Sequence, residues 1–112
     1  MVQTPYPATP QVVLYMDTWD YHVAIERRLP QLRDAVKETL SLPTVIARGT
    51  TAPRYVAFVK LGVLSVTRES PFVVFVDPEA EPLPTVATFG YRRDFKDLSK
   101  HEILWQLPPR PQ

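Results

Sequence analysis

The sequence contains no cysteine, which excludes disulfide frameworks, thiolate zinc sites and cysteine nucleophiles together. Two histidines are too few for a metal site built on imidazole, and no glycine-rich phosphate loop is spelled by the 3 glycines. Nor is there an excess of charge of either sign. The 13 lysines and arginines stand against 12 acids, a formal charge of +1, so no polybasic arm or acidic tail is present and any affinity for a polyanion has to be local. Long apolar runs are missing as well. The longest, Val12 to Met16 and Phe72 to Val76, fall far short of the roughly 18 residues a membrane helix needs. The start, Met1-Val2-Gln3-Thr4-Pro5, shows neither the charged nor the apolar segment of a secretory signal. The expectation is a soluble, cytoplasmic protein without membrane contact, metal or cofactor.

What remains is a chain of 112 residues that is 45% hydrophobic and 22% charged, enough to build one core. A single domain is expected over 1–112. Proline is abundant at 13 residues. Pro5, Pro7, Pro10, Pro108, Pro109 and Pro111 crowd the two ends and favour extended backbone that lacks sheet donors. The ends are accordingly expected to be flexible or loosely draped around an ordered core of about 11–107.

The run Val12-Val13-Leu14-Tyr15 suits a short buried strand or an extended lead-in. Asp17 and Thr18 offer capping oxygens, and a first helix is predicted from about Trp19 to Arg28. On it Trp19, His22, Val23 and Glu26 fall on one stripe, so an imidazole and a carboxylate share a face with two large apolar groups. Pro30 opens a second helix, to Leu40, with Leu29, Leu32, Val36 and Leu40 on one side, Ala35 and Thr39 beside them, and Arg33, Asp34, Lys37 and Glu38 on the other. Past Pro43 the apolar period drops from 3.6 to 2. Thr44 to Ala47, Arg54 to Leu61, Phe72 to Val76 and Thr85 to Phe89 are rich in valine, threonine and aromatics and are separated by turn-forming segments. Val63 to Thr67 either extends the second of these strands or forms an edge strand. Ser99-Lys100-His101-Glu102 fits a capping box, which predicts a short final helix from about Lys100 to Gln106. The expected fold is α+β: two N-terminal helices packed on a roughly four-stranded antiparallel sheet, with a short C-terminal helix.

Several segments in this order carry a family resemblance: His22 to Pro30, the amphipathic helix, Leu42-Pro43-Thr44-Val45-Ile46, the aromatic strand from Tyr55 to Phe58, Pro71 to Val76, and Val86 to Tyr91. The succession resembles the phage- and mobile-element-associated branch of the barnase, EndoU, colicin and RelE-like ribonuclease superfamily. Where that branch sets a basic residue, a histidine and a proline together, this chain has Arg27-Arg28-Leu29-Pro30.

The resemblance implies a small metal-independent endoribonuclease of the toxin type, with RNA as substrate and a protein antitoxin or other protein as partner. Such cleavage needs a base for the ribose 2′-hydroxyl, an acid for the leaving oxygen and cations at the phosphorane. His22 is the proton carrier in this reading, Thr88 bonds the scissile group, and Arg92, with Arg93 and Arg27, holds phosphate. Tyr91 stacks on a base, and Trp19 is a further substrate-binding residue. Each residue has a plain structural alternative: His22 and Trp19 as packed core, Thr88 as a strand former, the arginines as solvated charges, Tyr91 as a core or rim aromatic. His101, beside Lys100, reads most simply as exposed, or as a second proton carrier. The alternatives at the level of function are a non-catalytic protein- or RNA-binding module of the same fold, and a small phage or mobile-element structural protein.

Overall fold

The clearest helix expected from the sequence is present. A computed structural model describes residues 2–15, 31–49, 54–61 and 71–107, and in it α1 spans Gln31–Ser41. Ala35, Val36, Thr39 and Leu40 are buried, while Asp34, Lys37 and Glu38 are exposed, as the amphipathic period requires. The Ser41 hydroxyl donates to the Lys37 carbonyl at 2.8 Å and the Leu42 amide to the Glu38 carbonyl at 2.7 Å, closing the last turn before Pro43. The predicted first helix, Trp19 to Arg28, lies outside the described residues, as does Val63 to Thr67.

The strands are β1 (Val2–Gln3), β2 (Gln11–Val12), β3 (Val45–Arg48), β4 (Val56–Lys60), β5 (Phe72–Asp77), β6 (Thr85–Tyr91) and β7 (Ile103–Gln106). β1 and β2 pair with each other, and the other five form an antiparallel sheet in the order β6-β5-β4-β3-β7. The class is therefore α+β. β3 to β6 form the expected meander, and a fifth strand, β7, returns to the far edge beside β3.

That fifth strand corrects the predicted C-terminal helix. Asp97, not Ser99, is the capping residue, since its carboxylate accepts from the Ser99 amide at 3.1 Å, and the turn it caps is a three-residue 3₁₀ segment, Leu98–Lys100. Glu102 instead meets Arg48 at 2.6 Å, and its carbonyl accepts the Arg48 amide at 2.9 Å. Ile103, Trp105 and Gln106 then pair with β3, with a register shift at Leu104, and sheet contacts outweigh local helix preference.

The N-terminal prolines also behave differently from the expectation of a loose end. They border a hairpin rather than a tail. The Thr4 amide donates to the Pro10 carbonyl at 2.9 Å, Thr9 is buried, and Tyr6 meets Phe58 edge-on with ring centroids 6.5 Å apart. Pro5, Pro7 and Pro10 occupy exposed turn and edge positions, where a missing donor costs nothing.

Alternation along the strands builds two apolar layers, one on each side of the sheet. Ile46, Val56, Phe58, Phe72, Val74, Val76, Val86 and Phe89 face α1 and the N-terminal hairpin. Val45, Ala47, Ala57, Val59, Val73 and Phe75 face the other way, where Phe95 packs on them and Tyr55 and Leu98 flank the cluster. With both faces buried, the central strands read as near-continuous apolar runs. Among the described residues no helix is long and apolar enough to cross a membrane.

Candidate functional site

On the face away from α1, the end of β6 presents one row of residues, Thr88, Gly90 and Arg92. The register of β5 against β6 shifts between Phe75 and Val76, and beyond that bulge Thr88 lies opposite Phe75 and Gly90 opposite Val73. Arg92 continues the extended backbone at φ −131° and ψ 112°, so Thr88, Gly90 and Arg92 project to the same side. A Cβ added at Gly90 would meet no described atom within 4 Å. Among the described residues the middle of the row is therefore a notch, at Gly90, between Thr88 and Arg92 in the strand.

Arg92 is held in place from two directions. Its guanidinium carbon sits 5.1 Å from the centroid of the Phe75 ring, and its Nε and Nη2 donate to the two carboxylate oxygens of Asp94, each at 3.0 Å. The Arg92 amide donates to the Pro71 carbonyl at 2.9 Å, which pins the end of β6 to the start of β5. Beyond it, Arg93–Phe95 forms one 3₁₀ turn that buries Phe95 against Phe75, centroids 5.8 Å apart and rings inclined at 68°.

His101 completes this flap. Its ring lies parallel to Phe95, and its Nε2–H donates to the Asp94 carbonyl at 2.5 Å. That bond fixes the proton on Nε2 in the neutral ring, because a carbonyl only accepts. Nδ1 is buried and has no hydrogen-bond partner among the described residues. The side chain expected to be exposed is half-buried, with Nε2 engaged and Nδ1 enclosed. Asp97, one turn away, lies below the ordinary aspartate pKa, chiefly because the Ser99 hydroxyl and amide bond its charged form.

Of the residues singled out from the sequence, Thr88 and Arg92 are brought together on one face. Tyr91 is on the other, edge-on to Phe72 at 5.2 Å, as alternation from Arg92 requires. Arg93 is exposed at the head of the 3₁₀ turn. His22, Arg27 and Trp19 lie outside the described residues. Gly90, Asp94 and Phe75 were not singled out, although the two-residue period running from Thr88 to Arg92 places Gly90 between them. No group of three or more metal-ligating side chains occurs among the described residues. Comparison with protein-family models, with curated proteins and with solved structures finds no match for this chain.

Proposed function

We propose that this protein binds single-stranded RNA at the end of β6, with Arg92 on a backbone phosphate and the notch at Gly90 admitting the chain beside it. The observation that carries the reading is the row Thr88–Gly90–Arg92, in which a guanidinium shares a sheet face with a glycine that no described side chain crowds. A guanidinium fork matches phosphate geometry, and a gap walled by a sheet edge suits one strand better than a duplex. The near-neutral charge of the whole chain, +1, limits the interaction to a few phosphates, which corresponds to modest affinity and a shallow salt dependence.

Cleavage is the second reading, that of a metal-independent endoribonuclease of the toxin type. It is favoured by Thr88 and Arg92, two residues assigned to the scissile phosphate, sharing a face. It places the proton transfers on His22, because both nitrogens of His101 are engaged or enclosed.

One experiment addresses both. Labelled single-stranded RNA is titrated with the wild-type protein and with Arg92→Ala, and the same mixtures are run on a denaturing gel in chelator beside His22→Ala. Saturable binding that weakens about tenfold in Arg92→Ala supports the RNA reading. Products with 2′,3′-cyclic phosphate ends, lost in His22→Ala, establish cleavage. Absence of binding at high protein concentration, or equal binding by Arg92→Ala, overturns the proposal.

A further inference from the structure

Resting on the RNA reading, we infer that Asp94 is a built-in competitor for the phosphate at Arg92, so that the site is self-occluded until RNA displaces the carboxylate. Asp94 offers Arg92 what a phosphodiester offers, two anionic oxygens in one plane at hydrogen-bonding distance. Both bonds are 3.0 Å, and they take up Nε and Nη2, the side-on edge of the guanidinium and one of the two edges that can fork a phosphate.

The occlusion is reversible by construction. The two side chains are 36% and 43% exposed, so water readily solvates either partner once they part. Arg92 keeps two anchors besides Asp94, because the Phe75 ring lies under the guanidinium and the Arg92 amide is tied to Pro71. Asp94 is likewise anchored without its carboxylate, since its carbonyl accepts from His101 and the turn around it is fixed by Phe95. Swinging the carboxylate away changes one rotamer and leaves the flap docked. An arginine pre-positioned by an aromatic ring and capped by a local carboxylate exchanges one anion for another at little conformational cost.

A merely structural ion pair and a competitor give opposite signs when the carboxylate is neutralised. Asp94→Asn removes the charge and keeps the size of the side chain. Binding of labelled single-stranded RNA by Asp94→Asn is expected to be about 3- to 10-fold tighter than wild type. Its dependence on log salt is expected to steepen by about one phosphate contact. Glu79→Gln, an equal charge change on the exposed loop after β5, separates this from a general gain of positive charge; it should move affinity less than 2-fold. In the double variant Arg92→Ala/Asp94→Asn the gain should vanish. Asp94→Asn binding at wild-type strength or weaker, or a gain that persists without Arg92, overturns the inference. If wild type binds and Arg92→Ala does not while Asp94→Asn equals wild type, only the self-occlusion falls. If wild type, Arg92→Ala and Asp94→Asn all fail to bind, the RNA reading falls with it.

Discussion

His101 lies flat against Phe95, ring centroids 4.1 Å apart and planes within 8° of parallel. Together with the Nε2–H bond to the Asp94 carbonyl, this contact closes the segment after β6 onto the sheet and sets the direction in which Asp94 meets Arg92. The flap is thus both a piece of the core and a wall of the candidate site.

Replacing His101 separates stacking from hydrogen bonding. His101→Ala loses both and is expected to cost about 1–3 kcal/mol, the sum of an aromatic stack and one hydrogen bond. His101→Phe keeps the stack and is expected to lose only about 0.5–1.5 kcal/mol. Urea unfolding followed by tryptophan fluorescence measures both. Equal losses in the two variants would show that stacking on Phe95 contributes nothing.

Asp97 gives the flap a pH dependence of known sign. Its folded-state pKa is depressed by the Ser99 hydroxyl and amide. A depressed carboxylate contributes stability that is fully present above its unfolded value, about 4, and is lost as pH falls through the lower folded value. The difference in urea midpoint between wild type and Asp97→Asn is expected to be constant from pH 7 to about pH 5 and to shrink below about pH 4. A difference that grows on acidification contradicts the assignment.

On α1, Leu40 and Lys37 are expected to behave as opposites. Leu40 is fully buried among Val36, Phe58 and their neighbours, and Leu40→Ala is expected to cost about 2–5 kcal/mol. Lys37 is exposed, and Lys37→Ala is expected to stay within about 0.5 kcal/mol of wild type. Denaturant melts of the two variants check this.

That contrast also marks what was legible in the sequence. The stripe Ala35, Val36, Thr39 and Leu40 buried as its spacing implied, and β3 to β6 appeared within two residues of their expected ends, because short valine- and aromatic-rich runs between proline-containing turns have few other ways to bury themselves. The segment after Ser99 misled, because a capping box is a local signal, while β3 offers Ile103–Gln106 an entire unpaired edge that no local pattern reveals. The N-terminal hairpin was missed for a similar reason. Its bonds join Thr4 to Pro10 and Thr9, polar links that a proline-rich stretch does not advertise.

At the candidate site, Thr88 and Arg92 were legible as neighbours because strand alternation alone puts them on one side. Their surroundings were not. Asp94 binds Arg92 only because the chain turns sharply after Arg92, and His101 faces Phe95 only because two 3₁₀ turns fold 93–101 back onto the sheet. Contacts made by irregular backbone have no sequence period to betray them.

The central claim, that RNA enters the gap between Thr88 and Arg92, is tested most directly by filling that gap. Gly90→Val adds side-chain bulk where no described atom lies within 4 Å, and a β-branched residue suits a strand, so the fold is expected to be as stable as wild type or slightly more so. Measured by fluorescence anisotropy on the same labelled RNA, the variant is expected to bind about tenfold or more weakly while its urea midpoint does not fall. Wild-type affinity in a folded Gly90→Val protein would show that nothing binds there.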